Sequence, residues 1–117
     1  MTKDEKERLL SPDGLILSEW KEIRKALKAF EKEIMNIEKD SKDALVLAMF
    51  IRGSIEGNRF LSNLYGSGLF KYPKARKAAR ALVEPFYMNK NKTMAAINCA
   101  DIILLNSRIV SCELLLG

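Results

Sequence analysis

The sequence predicts an all-α protein, a four-helix-type bundle with a short N-terminal helical segment. Apolar residues recur at helical spacing in the most regular stretch, and no segment sustains the alternation of a half-buried strand. Turn and cap residues divide the chain into one short and four longer pieces. With 117 residues, 48% of them hydrophobic and 30% charged, the chain is long enough to bury one continuous core without metal or disulfide staples. Residues 1–14 are therefore read as a lead-in segment and residues 15–117 as a single helical bundle domain. No internal repeat or low-complexity run interrupts it.

Residues 3–10 suit one charged helix, and Ser11-Pro12-Asp13-Gly14 is a turn sequence that sets it apart. From Leu15 to about Lys39, Ile16, Trp20, Ile23, Leu27, Phe30, Ile34 and Ile37 fall at strictly alternating spacings of four and three. That spacing puts all seven on one stripe and leaves Glu19, Lys21, Glu22, Arg24, Lys25, Lys28, Glu31, Lys32 and Glu33 to solvent. The pattern stops after about three heptads, short of a sustained coiled coil, so the stripe is expected to pack within a bundle.

Asp40-Ser41-Lys42-Asp43 supplies capping residues ahead of the apolar run Ala44–Ile51, where a second helix should begin, unless the first runs on with a kink. The run is apolar on every side, as in a helix enclosed by neighbours. Gly53 and Gly57, four apart, suit a close helix approach, with a kink or a backbone contact to a ligand as alternatives. Gly66-Ser67-Gly68 ends this helix; it lacks the spacing and preceding strand of a phosphate-binding loop.

The third long helix should run from Pro73 to Val83, opened by a proline in its first turn and interrupted by Pro85. After the polar loop Asn89-Lys90-Asn91-Lys92, Thr93 is expected to cap a last helix from Met94 toward Leu116. Asn98, Asp101, Asn106, Ser107, Arg108, Ser111 and Glu113 are too polar for a bilayer core, which excludes a transmembrane reading of this helix. They scatter around its axis, and this predicts burial on more than one side, either centrally or at an oligomer interface. Asp101 and Arg108, two turns apart, are expected to pair.

Charge is concentrated in one region. Residues 71–92 hold seven basic residues against Glu84 alone, a net +6, whereas the rest of the chain nets −1 and the whole chain +5. On the third helix Lys74, Arg76, Lys77 and Arg80 share one broad face opposite Ala75, Ala78, Ala79 and Leu82. Lys71, Tyr72, Lys90 and Lys92 extend the set, and Tyr65, Phe70, Phe86 and Tyr87 lie close in sequence. Interleaved cations and aromatics suit nucleic acid, by neutralising phosphates and stacking on bases. A lysine-rich face also suits an acidic protein or lipid surface, or simple solvation.

There is no histidine, which removes the commonest metal ligand and neutral-pH base. The glutamates Glu19, Glu22, Glu31, Glu33 and Glu38 are read as salt-bridged helix surface. Cys99 and Cys112 lie 13 residues apart on one helical-looking segment, roughly 20 Å along the axis, too far to bridge. They are read as buried thiols. No catalytic, cofactor or metal site is expected. The charged opening Met1–Arg8 lacks a signal-peptide core, and a cytoplasmic protein is expected. The sequence thus points to a non-enzymatic binding and assembly module, a homo-oligomer or partner of another protein, that presents Lys71, Tyr72, Lys74, Arg76, Lys77, Arg80, Lys90 and Lys92 to an acidic surface. The alternative is DNA or RNA binding through residues 71–92.

Overall fold

A computed structural model of the chain describes residues 2–10, 14–57, 69, 71–86 and 89–111. The described residues form an all-α fold: α1 (Lys3–Leu10), α2 (Leu17–Ile34), α3 (Lys42–Gly57), α4 (Pro73–Val83) and α5 (Lys90–Ser107), with a 3-10 turn at Glu84–Phe86 between the last two. α4 and α5 pack on each other, and α2 and α3 each pack on both of them, α2 most extensively on α4. Lys77 of α4 lies by Glu33 near the end of α2, and Lys92 of α5 by Glu22 near its start. Hence α4 runs antiparallel to α2, and α5 runs parallel to it.

All seven residues of the predicted stripe are buried or packed against the core, with Ile23 and Phe30 fully enclosed. The helix carrying them stops at Ile34, earlier than the expected Lys39, and the chain does not run on as one kinked helix. Asn36 and Ile37 donate backbone bonds to Glu33 and Ile34, tightening the end into a turn that still buries Ile37. Ser41 then caps α3 by accepting the Ala44 N–H. α3 continues unbroken through Gly53; of the apolar run before it, Met49 points to solvent, so that run is not enclosed on every side.

α4 occupies the predicted span, with Pro73 in its first turn. The last helix differs from expectation at both ends. Asn89, not Thr93, is the cap: its side chain accepts the Lys92 N–H, which starts α5 four residues early. Thr93 is buried instead, and its hydroxyl donates to the Phe86 and Asn89 carbonyls. The helix ends at Ser107 because Arg108 adopts a left-handed conformation, φ 61°. Arg108 is exposed there, and no ion pair joins it to Asp101 among the described residues. α5 buries Thr93, Ala96, Ile97, Ala100 and Leu104 but exposes Asn98, Ile102 and Leu105, so it is not enclosed all round. Cys112 and Leu114–Leu116 lie outside the described residues.

α1 buries no residue. It is held by polar contacts: the Leu17 N–H donates to Glu7, and Arg8 donates to the Gly14 carbonyl and pairs with Glu19 at 2.8 Å. Gly14 takes a left-handed conformation, φ 72°, which glycine adopts without strain; Ser11-Pro12-Asp13, the rest of the predicted turn, lie outside the described residues. No helix among the described residues is long and apolar enough to cross a membrane.

Candidate functional site

The candidate site follows from how α4 divides its surface. Ala75, Ala78, Ala79, Leu82 and Val83 are buried, so the positions between them must face outward. Lys74, Lys77 and Arg80 are exposed, as are Lys71 just before the helix and Lys90 at the start of α5; Arg76 and Lys92 are half-buried. The small alanines allow α4 to approach α2 and α5 closely while its long cationic side chains extend from the rim.

α4 has no acidic residue in its first turn and no side-chain cap of its own. Asp43, in the first turn of α3, fills that role. Its Oδ2 accepts the Lys74 N–H at 2.9 Å and the Ala75 N–H at 3.1 Å. A carboxylate placed there satisfies two helix-end donors and offsets the positive end of the helix dipole. The basic helix is thereby fixed on α3 at its most electropositive point.

Between α4 and α2 lies an open cleft of about 790 Å³. Pro73, Ala81 and Pro85 supply apolar surface, and Arg76, Lys77, Arg80, Glu33 and Glu84 its charged walls. A second hollow of about 370 Å³ shares Ala81 and Pro85 with it and continues over Ala26, Ala29 and Phe86 to Glu22 and Lys25. The two form one groove with an apolar floor and both signs of charge along its sides. Arg80 pairs with Glu84 at 2.6 Å, and Lys77 lies 3.8 Å from Glu33.

Lys92 belongs to a different cluster. Its ammonium lies 2.6 Å from Glu22 and 3.9 Å from Glu19, and Glu19 also pairs with Arg8 and accepts the Ile16 N–H. Glu19 is 8% exposed, which corrects its assignment to the solvated face of α2: side chains from α1 and α5 close over it. Thus the +6 segment does not present one uninterrupted cationic face. Lys77, Arg80 and Lys92 each have a carboxylate within ion-pair distance, whereas Lys71, Lys74 and Lys90 form no ion pair among the described residues.

Of the neighbouring aromatics, Tyr72 is packed against the core and Phe86 is buried in it. Tyr65, Phe70 and Tyr87, like Gly66-Ser67-Gly68, lie outside the described residues. Cys99 is half-buried, and burial pushes its thiol above the ordinary range. Among the described residues no group of three or more cysteines or carboxylates stands together as a metal site. The groove itself escaped sequence reasoning, because its floor combines Ala26 and Ala29 of α2 with Ala81 and Pro85, and no periodicity links the two.

No protein-family model matches the chain, and no curated protein or solved structure shows a significant match to it.

Proposed function

We propose that this chain is a helical binding and assembly module that self-associates and offers the α4 face to a protein partner of acidic, amphipathic character. The observation that carries this reading is the composition of the α2–α4 groove. An apolar floor of Ala26, Ala29, Ala81 and Pro85 is rimmed by Lys77 and Arg80 on α4, with Glu33 and Glu84 interspersed. An apolar centre within a polar rim is the anatomy of a protein interface. Glu33 and Glu84 oppose any anionic ligand alike, so the apolar floor decides: the apolar side chains of an amphipathic peptide can cover it and a phosphate backbone cannot. The second reading, nucleic-acid binding, draws on Lys71, Lys74 and Lys90, which are exposed and form no ion pair among the described residues.

Three labelled probes separate the readings at about 50 mM salt, where electrostatic contacts are strongest: an amphipathic glutamate–leucine peptide, a single-stranded RNA and a duplex DNA. The module reading predicts that the peptide binds most tightly and that Lys74→Gln, Lys77→Gln and Arg80→Gln together weaken it with helicity intact. Tighter binding to RNA or DNA, with affinity falling about 0.9 log unit per log unit of salt for each duplex phosphate contact, favours the second reading. Binding to none of the probes overturns both.

A further inference from the structure

α2 carries a row of cations of its own. Lys21, Lys25, Lys28 and Lys32 follow one another at spacings of four, three and four. At about 100° per residue they fall within an arc of about 60° on the helix, with no acidic residue among them. All four are exposed, and none forms an ion pair among the described residues. The row borders the α2–α4 groove, because Lys25 lines it beside Ala26, Ala29, Ala81 and Pro85. Lys77 and Arg80 of α4 stand along the other side. Each carboxylate of the groove already has a cation: Glu22 lies 2.6 Å from Lys92, Glu84 2.6 Å from Arg80, and Glu33 3.8 Å from Lys77. The lysines of the row have no such partner.

We infer that the groove takes an amphipathic helix of the partner, with its apolar side on the alanine and proline floor and its carboxylates against this lysine row of α2. The inference rests on the proposed function and adds to it the partner's conformation and a second binding wall. The dimensions agree. From Lys21 to Lys32 the row runs about 16 Å at a helical rise of about 1.5 Å per residue, and the 11 residues of α4 run the same length, so the walls match about three turns of helix. An extended segment turns successive side chains toward and away from the floor and leaves none for the walls. A helix lays one apolar stripe on the floor and carries its acids on the flanks. Charge complementarity selects acids for the flank on α2, where four cations without a carboxylate of their own await them. A nucleic-acid backbone meets the same lysines but leaves the apolar floor uncovered.

Titration of the labelled glutamate–leucine peptide with the full chain at about 50 mM salt tests this. The wild type should bind it, and Lys21→Gln/Lys25→Gln/Lys28→Gln/Lys32→Gln should weaken binding on the order of 10-fold or more. Lys3→Gln/Lys6→Gln/Lys39→Gln/Arg108→Gln removes the same charge from exposed positions that do not line the groove, and should weaken it less than about 2-fold. Circular dichroism should show both variants as helical as the wild type. A peptide of the same composition with a proline at its centre should bind on the order of 10-fold or more weakly, because proline breaks a helix. A wild type that does not bind the peptide, or that binds RNA or DNA more tightly, overturns the inference together with the reading it rests on. Peptide binding that the α2 variant leaves intact, that the control variant weakens equally, or that the central proline does not weaken overturns the inference alone.

Discussion

Asp43 caps a helix to which it does not belong: its carboxylate, in the first turn of α3, accepts the backbone N–H of Lys74 at 2.9 Å at the start of α4. The contact spans 31 residues, so the start of the basic helix is set by tertiary structure. Replacing a capping carboxylate typically costs about 0.5–2 kcal/mol. Asp43→Ala should therefore lower the thermal midpoint by several degrees. Asp43→Asn, which keeps an acceptor but loses the charge, should lower it less. An Asp43→Asn midpoint equal to that of the wild type would mean that the charge at the α4 N-terminus contributes nothing, and equal losses in the two variants that the charge carries the whole effect.

Phe30 is fully buried at the centre of the α2 stripe. Phe30→Ala should destabilise the fold by about 3–5 kcal/mol in chemical denaturation, the range for large aromatic truncations in a core. Lys28→Ala, two residues away on the exposed side, should change stability by less than about 0.5 kcal/mol.

The Arg8–Glu19 pair predicts a local effect in place of a global one. α1 buries nothing and is tied to α2 through Arg8 and Glu7. Arg8→Ala should accelerate hydrogen exchange over residues 3–10 while the midpoint for the core stays nearly constant, as expected where an element has few buried contacts. Glu19→Ala should act more widely, because it also frees the Ile16 N–H and removes a partner of Lys92.

Burial raises the Cys99 thiol above its ordinary value. Less thiolate is then present near pH 8, and in a Cys112→Ser background Cys99 should react with a thiol reagent more slowly folded than unfolded. The sign for stability follows: the contribution is fully present below the unfolded thiol's pKa and is lost as pH rises through the raised folded value. Equal labelling rates in the two states would contradict this.

How far the sequence reaches is clearest in α4 and α5. Pro73 and Pro85 bracket α4, and both act through covalent geometry, so its span follows from local chemistry alone. α5 has two competent cap residues, Asn89 and Thr93, and tertiary packing decides between them: Thr93 donates to Phe86 in the preceding turn and is buried. Its end depends on Arg108 taking a left-handed conformation more usual for glycine or asparagine, which propensity does not anticipate. Likewise the charge of the site was legible in the spacing of Lys74, Lys77 and Arg80. Its groove was not, since Glu33 reaches Lys77 across 44 residues of sequence. Glu19 shows the same limit. It stands three residues after Ile16 and four before Ile23, at the edge of the stripe, where charge alone argued for solvent; Arg8 and Lys92 closing over it bury it.

The proposed role, as part of an assembly held by protein contacts, is open to direct test. The most direct measurement is the mass of the species purified from cells, by light scattering on a sizing column with the ratio of absorbance at the nucleic-acid and protein maxima recorded. An assembly should show a mass above the 13.3 kDa of one chain, either a whole multiple of it or a complex with a second protein, and an absorbance ratio typical of protein. A single species of 13.3 kDa at micromolar concentration, or a particle whose absorbance is dominated by nucleic acid, would contradict it.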